Sequence, residues 1–289
     1  MLIANNWKDY ELLDCSDGER LERWGNVILI RPDPQVIWNT PRDKALWGEA
    51  HAIYKRSAQG GGAWQYLRKF KEPWSVSWGD LTFACRCMGF KHTGVFPEQA
   101  VNWARLQTII RAAERPVRVL NLFAYTGAAS IACAAAGAAV THVDAAKGML
   151  QWARENAALS ALADAPIRRL VDDCGKFVQR ELRRGNKYDI IIMDPPSYGR
   201  GPGGEVWKLE QEIHPLIRDC AGLLADNALA VLVNSYTTGL SPSVMAYIMH
   251  AEIAAHRGGT IDCDELGLPV SSMGMALPCG ASAFWKAEC

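Results

Sequence analysis

The 289-residue sequence has no excess of charge of either sign: 31 Lys and Arg stand against 31 Asp and Glu. Composition therefore excludes a broadly electropositive surface, and a nucleic-acid partner would need a local basic patch. Nine cysteines are present, but none has the paired spacing of a metal site; Cys85 and Cys87 form a C-x-C with no second pair. That pattern points to reduced thiols in a cytoplasmic protein and to no metal. No apolar run approaches the roughly 20 residues that cross a bilayer, and no basic-then-apolar leader follows Met1, so no membrane partner is expected.

What is present is an ordinary globular composition, 49% hydrophobic and 21% charged, in a chain long enough for one large α/β domain and a smaller one. Residues 1–92 are rich in Trp, Gly and Pro, with short apolar runs at 27–30 and 36–38 separated by turn signals at Asp17-Gly18, Pro32-Asp33-Pro34 and Gly60-Gly61-Gly62. This texture predicts a small β-rich N-terminal domain, with two strands at 74–78 and 81–87 joined at Gly79-Asp80. Lys55, Arg56, Arg68, Lys69 and Lys71 alternate here with Trp64, Tyr66 and Phe70. Two readings stay open: an RNA-binding face, or a solvated edge whose aromatics fill a small core. His92, alone near the junction, reads as a hydrogen-bonded structural residue.

From residue 93 to 289 strands and helices alternate. A helix is expected over 98–113, with Pro97 in its first turn. Strands are expected at 117–122, 140–143, 167–171, 188–193 and 228–234, with helices at 128–136, 147–162, 176–184, 209–224 and 243–256. Two last strands, 260–266 and 281–287, are joined by a long loop. The glycines at 199–204 also mark a loop. This order predicts a Rossmann-like, doubly wound, mostly parallel seven-stranded sheet with an antiparallel edge hairpin.

The informative residues stand at the strand ends. The buried run Val117, Val119, Leu120, Leu122 passes through Tyr125-Thr126-Gly127 directly into an alanine-rich helix, the opening unit of a nucleotide-type crevice. Asp144, Asp173 and Asp194 each follow the carboxyl end of a predicted parallel strand, the edge where open α/β sheets bind ligands. Each alone suits a helix cap or turn; three in register suit a ligand with a ribose diol, an exocyclic amine and a positive centre. A dinucleotide needs G-x-G-x-x-G for its pyrophosphate. Here one glycine, Gly127, is accompanied by bulky Phe123 and Tyr125, which favours an adenosyl cofactor without phosphate, such as S-adenosylmethionine.

The blocks NLFAYTG (121–127), HVDAAKGMLQWARENAALSAL (142–162) and DPPSYGRGPGGEVWKLE (194–210) resemble the class I S-adenosylmethionine-dependent methyltransferases. More narrowly, they resemble the group containing the ribosomal large-subunit RNA methyltransferases that modify cytosine C5 or guanine N7. The resemblance spans roughly 94–289. It implies that Phe123, Tyr125, Thr126 and Gly127 line the methionine and adenosine portions of the cofactor. It implies that Asp144 takes the ribose hydroxyls and Asp173, or Asp172 if the strand ends one residue earlier, the adenine amine. Asn121, Ala145, Asp194, Phe96 and Gln99 join the cofactor-binding set by the same resemblance. It implies a ribosomal RNA substrate.

Asp194-Pro195-Pro196-Ser197-Tyr198 resembles the D/N-P-P-aromatic motif of amino-directed methyltransferases. A nitrogen nucleophile must be held in line with the sulfonium methyl, and the Asp194 carboxylate and Pro195 carbonyl are suited to accept its N–H groups. Ser197 occupies the usual aromatic position and Tyr198 follows it, so stacking on a flipped base is in doubt. Methylation at cytosine C5 needs a thiolate. The family's C5 members carry that cysteine in a Ser-Cys-Ser context after the fifth strand, where this chain has Asn234-Ser235-Tyr236-Thr237. Cys174 and Cys279 are the remaining thiols to check. Nitrogen is therefore favoured over C5. The alternatives are a methyltransferase for a protein side chain or small metabolite, a non-catalytic adenosyl-cofactor-binding module, or a nicotinamide oxidoreductase, which the single-glycine turn disfavours.

Overall fold

A computed structural model describes residues 1–57, 61–201, 203–237 and 239–288; Gly60 of the expected 60–62 turn, Pro202 of the expected 199–204 loop and Cys289 lie outside the described residues. The chain forms two compact units. One contains Met1–Val101 and Gly267–Cys279, the other Asn102–Leu266 and Gly280–Cys289. The division therefore falls beyond the expected 92/93 boundary and recruits a distant segment. Within the first unit, Trp7 Nε1 donates to the Pro97 carbonyl (2.9 Å) and the Arg86 N–H to the Thr93 carbonyl (3.1 Å). The Ser271 and Ser272 N–H groups donate to the carbonyls of Leu12 and Leu13 (2.9 and 3.1 Å). These long-range bonds have no sequence signature.

The first unit begins with β1 (Leu2–Ile3), β2 (Tyr10–Ser16), β3 (Glu19–Trp24), β4 (Val27–Pro32), α1 (Lys44–Gly48), β5 (Ala52–Arg56) and β6 (Gly62–Tyr66). Strands β2 to β6 form one five-stranded sheet in sequential order, over a small core of Leu21, Ile30, Trp47, Ala50 and Ile53. The expected hairpin is β7 (Trp74–Trp78) with β8 (Leu81–Cys85). The apolar run at 36–38 is not a strand: its carbonyls at Val36 and Trp38 accept from Gly18 and Asp17, and Ile37 is 91% exposed. A buried ionic cluster stabilises the sheet. Burial opposes ionisation of Glu22, but Arg20 and Arg31 prevail and hold its carboxyl down to about 2, with Arg31 Nη2 2.7 Å from its Oε1.

The second unit begins within α2 (Ala100–Ala112), which a single 3₁₀ turn (Pro97–Gln99) precedes. It runs β9 (Arg118–Leu122), α3 (Ala128–Ala135), β10 (Ala139–Asp144), α4 (Lys147–Leu159), β11 (Ile167–Val171), α5 (Cys174–Arg184), β12 (Ile190–Met193), β13 (Tyr198–Arg200), β14 (Val206–Lys208), α6 (Leu209–Ala221), β15 (Ala230–Ser235), α7 (Pro242–Met249), a π-helical turn (His250–Ala254), α8 (Ala255–Arg257), β16 (Thr260–Pro269) and β17 (Ala276–Lys286). The sheet order is β11-β10-β9-β12-β15-β17-β16. The first five strands are parallel and β17 is antiparallel to β15. This is the expected Rossmann-like arrangement. Within the first unit, the Ala4 N–H after β1 donates to the Gly267 carbonyl (3.0 Å).

The central strands are apolar throughout because helices cover both faces: all four residues of β12 and all six of β15 are buried. Register sets Leu122 level with Val143 and with Met193, so the ends of β9, β10 and β12 line up. Gly199 and Arg200 belong to β13, and residues 201, 203 and 204 lie in the loop between β13 and β14. Strands β16 and β17 are longer than expected, leaving only residues 270–275 between them. Glycine and proline in these stretches suggest breaks, but pairing with neighbouring strands overrides them.

Beneath the sheet end lies a buried polar chain. Asn121 Nδ2 donates to Ser130 Oγ (2.9 Å), which is 3.0 Å from His142 Nδ1. Burial, with Arg169 adding to it, lowers His142 to about 3 from 6.5, so the folded imidazole stays neutral. The unfolded chain binds that proton below pH 6.5, so stability is full above 6.5 and is lost as pH falls toward 3. Denaturation at pH 7 and pH 5 should differ by about 2 kcal/mol through this group alone. The variant His142→Asn should lose that share of the pH dependence; an unchanged slope would assign it elsewhere.

Candidate functional site

Strand order reverses between β9 and β12, with β10 on one side and β15 on the other. Open α/β sheets bind ligands outside the carboxyl ends at such a switch point. Four segments converge on that end of the sheet: 123–127 after β9, 144–146 after β10, 172–173 after β11 and 194–197 after β12.

The 123–127 turn is held in an uncommon backbone. Phe123 and Tyr125 have φ of 55° and 50° and Gly127 has 87°, and for aromatic residues the left-handed region persists only where surroundings impose it. Asp144 imposes it here. Its Oδ2 accepts from the Tyr125 N–H (2.8 Å) and its Oδ1 from the Ala146 N–H (2.9 Å). The Ala124 N–H bonds to the Val143 carbonyl (3.1 Å), and the Phe123 N–H reaches Cys174 Sγ (3.3 Å). Burial raises the Asp144 pKa while the two backbone N–H groups oppose that shift. Gly127 is required twice, for its φ and because an added Cβ would lie 2.9 Å from Ala153 Cβ. The Thr126 carbonyl accepts from buried Asn156 (2.9 Å).

At the next strand end, Asp173 caps α5, its Oδ1 accepting from the Lys176 N–H (2.8 Å). Asp172 pairs with Arg180. The strand ends at Val171, so both carboxylates follow it. Asp173 Oδ2 lies 3.0 Å from the point a Cβ on Gly201 would occupy, and the hairpin therefore rests against this carboxylate. Its tip is tied to α5 by the Lys176–Glu205 pair.

Asp194 is half-buried, with its backbone N–H 3.5 Å from the Leu122 carbonyl; Pro195 is buried. The Pro196 carbonyl accepts from Trp207 Nε1 (2.7 Å), and the Trp207 ring lies 4.9 Å from that of Phe123. Ser197 Oγ is 2.6 Å from Thr237 Oγ1. Tyr198 opens β13 and is 54% exposed. The sequence reading missed Trp207 and Thr237, because the hairpin register and the approach of the segment after β15 are tertiary facts.

The structure thus brings together Phe123, Tyr125, Thr126, Gly127, Asp144, Ala145, Asp173 and the 194–197 segment. Asn121, like Thr126, is buried, and its amide is bonded to Ser130. Phe96 precedes the 3₁₀ turn of the first unit and Gln99 ends it; Gln99 is 5% exposed and the Phe96 ring is 5.0 Å from His92. Burial lowers His92 to about 3, consistent with a structural histidine. Burial pushes the Cys174 and Cys279 thiols well up, so neither is poised as a thiolate. Among the described residues no three His, Cys, Asp or Glu side chains converge as a metal site would require. No described helix is long and apolar enough to cross a membrane.

A strand-end carboxylate clasping a single-glycine turn, with D-P-P at the neighbouring strand end, defines an adenosyl-cofactor enzyme. Residues 44–247 match the S-adenosylmethionine-dependent methyltransferase family, and the chain belongs to it. The chain is 38% identical to an S-adenosylmethionine-dependent methyltransferase from Agrobacterium tumefaciens, with a TM-score of 0.94 over 99% of this chain and 93% of that one. It shares its fold with a methyltransferase-like protein from Streptococcus mutans at 21% identity and a TM-score of 0.77, over 98% of this chain and 76% of the other. Among curated relatives, the protein from Colwellia psychrerythraea named ribosomal RNA large subunit methyltransferase K/L is 30% identical over 196 residues, 67% of this chain and 24% of that protein. Its counterpart from Methylococcus capsulatus is 29% identical over 213 residues, 72% and 27% respectively. The chain spans about a quarter of the length of these curated relatives.

The family's cofactor is S-adenosylmethionine. The site's donor set fits that cofactor: Asp144 has an acceptor at the second strand end, where ribose hydroxyls bind, and the one-glycine turn makes no provision for a pyrophosphate. Because Asp144 holds the turn, Asp144→Ala should speed hydrogen exchange at the Tyr125 and Ala146 amides by about tenfold or more, as bonds to a charged acceptor contribute about 1.5–3 kcal/mol. Unchanged exchange would mean the turn is held by packing alone.

Proposed function

We propose that the protein methylates a base of ribosomal RNA, and at a nitrogen. The observation that carries this reading is the Asp194-Pro195-Pro196 segment at the switch point, beside a turn clasped by Asp144, with no cysteine in the Asn234-Ser235-Tyr236-Thr237 stretch that follows β15. The curated relatives named for ribosomal RNA support the substrate class. Such a substrate places the protein in the cytoplasm.

In this reading Phe123, Tyr125, Thr126 and Gly127 line the cofactor. Asp144 and Ala145 stand at its ribose, and Asp173 stands at its adenine amine, since Asp172 is already paired with Arg180. Phe96, Gln99 and Asn121 are left to structural roles in their own units. The bound cofactor supplies an electrophilic methyl on a sulfonium. The protein's part is to aim a nitrogen lone pair at it: the Asp194 carboxylate and the Pro195 carbonyl accept the N–H groups of the target, and two consecutive prolines fix that geometry. Trp207 holds the Pro196 carbonyl, and the Ser197–Thr237 contact holds the segment after it. No thiolate addition to a ring is needed for a nitrogen target. The β-rich first unit is the substrate-recognition part in this proposal. The second reading, a protein side chain or small metabolite, is favoured by one observation, the zero net charge.

Transfer of labelled methyl groups to an unmodified large-subunit ribosomal RNA transcript, followed by nucleoside mass mapping, tests the proposal. Methyl on a base nitrogen is expected; methyl on C5 of a pyrimidine would overturn the nitrogen assignment, and label only in protein or small molecules would favour the second reading. Asp144→Ala should weaken S-adenosylhomocysteine binding by about ten- to a hundredfold. Asp194→Ala should slow transfer by about a hundredfold or more with a much smaller change in cofactor affinity. Equal losses in both would reduce Asp194 to a cofactor ligand.

A further inference from the structure

The β13–β14 hairpin has two dissimilar faces. In the antiparallel ladder Tyr198 pairs with Lys208, Gly199 with Trp207 and Arg200 with Val206. Directly opposed residues share a face, and residues two apart on one strand share a face. Trp207 and Gly199 therefore lie on one side and Tyr198, Lys208, Arg200 and Val206 on the other. The exposure pattern agrees: the first pair is half-buried and the other four are exposed.

The inner side is committed. Trp207 packs against Phe123 and bonds to Pro196, and a Cβ on Gly199 would lie 3.2 Å from Pro196 Cγ. The outer side has no such explanation. Tyr198 is 54% and Val206 48% exposed, and among the described residues no carboxylate pairs with Arg200 or Lys208. Of the acids nearest in sequence, Glu205 is already engaged by Lys176 and by the Gly203 N–H, and Glu210, two residues from Lys208, lies in the first turn of α6. An aromatic ring, an aliphatic neighbour and two cations about 7–8 Å apart along the diagonal of the ladder thus form one strip. This strip starts four residues after Asp194, on an element whose other face holds the proposed methylation motif.

The geometry points to this outer face as a docking strip for single-stranded RNA beside the target base, with Tyr198 stacking on one nucleotide and Arg200 and Lys208 neutralising its phosphates. The assignment rests on the RNA reading above. A chain without net charge needs a local basic patch to hold RNA, and rings interleaved with cations bind single strands without needing a sequence. It also gives Tyr198 a role outside the pocket. Backbone pairing places its ring with Lys208 on the outer face, opposite to Trp207.

The test uses the full-length protein saturated with S-adenosylhomocysteine and an unmodified large-subunit ribosomal RNA transcript, with affinity measured across salt concentrations. The double variant Arg200→Glu, Lys208→Glu should bind at least about tenfold more weakly, and its log–log salt slope should fall by about 1.4, the share of two phosphates on a single strand. A matched reversal on α2 and β11, Arg111→Glu with Arg168→Glu, should leave the slope nearly unchanged. Tyr198→Ala should weaken binding by roughly tenfold, and Tyr198→Phe should restore it. Calorimetry should give one S-adenosylhomocysteine affinity for all of these proteins, showing that the site is intact. If the wild type binds the transcript and the hairpin variants match it or the control reversal, the strip is overturned and the RNA reading stands. If the wild type binds S-adenosylhomocysteine but not the transcript, the RNA reading fails and takes the strip with it.

Discussion

The clasp of one carboxylate on the turn after β9 is the constraint on which the rest of this site depends. Asp144 accepts from Tyr125 and from Ala146 and so couples the end of β10 to the entrance of α3. Two aromatic residues on that turn occupy the left-handed region, a conformation costing about 1–3 kcal/mol at each residue unless its surroundings fix it. The surroundings do so at three points, through Asp144, the Val143 carbonyl and Cys174 Sγ. The strain has a use: it brings Phe123 to the switch point, where it meets Trp207. The same carboxylate still has lone pairs for a ligand, so a group that builds the turn is also one that can read a ribose.

The hairpin after Asp194-Pro195-Pro196 extends this logic to the next strand end. Its inner face is fastened at the base by Trp207, to Pro196 and Phe123, and at the tip by Glu205, to Lys176. A Cβ on Gly199 would lie 3.2 Å from Pro196 Cγ and one on Gly201 3.0 Å from Asp173 Oδ2, so both glycines let the hairpin sit close to these groups. A glycine-rich segment here is therefore not slack chain. Its glycines let backbone approach the motif and the α5 cap closely, and the polar and basic side chains are left on the opposite face.

The buried cysteines and histidines narrow the chemistry. Cys174 sits at the right sheet end, but its thiol is 3% exposed, receives the Phe123 N–H and is raised by burial, which suits a packing atom better than a nucleophile. His92 and His142 are both held neutral by burial. The crevice is left with oxygen acceptors, the set that the proposed transfer to a nitrogen uses.

The sequence by itself determined the class of the fold and most of the strand ends. The order of apolar runs and amphipathic helices identifies a parallel sheet; Asp144 is the last residue of β10, and Asp173 and Asp194 follow β11 and β12. These features are local: an apolar run, a turn residue and a helical period are each visible within a short window. Tertiary structure alone decided the rest. Asn121 is bonded to Ser130 in a buried polar chain; Gly199 and Arg200 pair with β14; residues 267–279 joined the first unit. Trp207 carried no motif of its own and became the support of Pro196. In each case the deciding contact links residues far apart in the chain or depends on strand register, and neither is written in local composition.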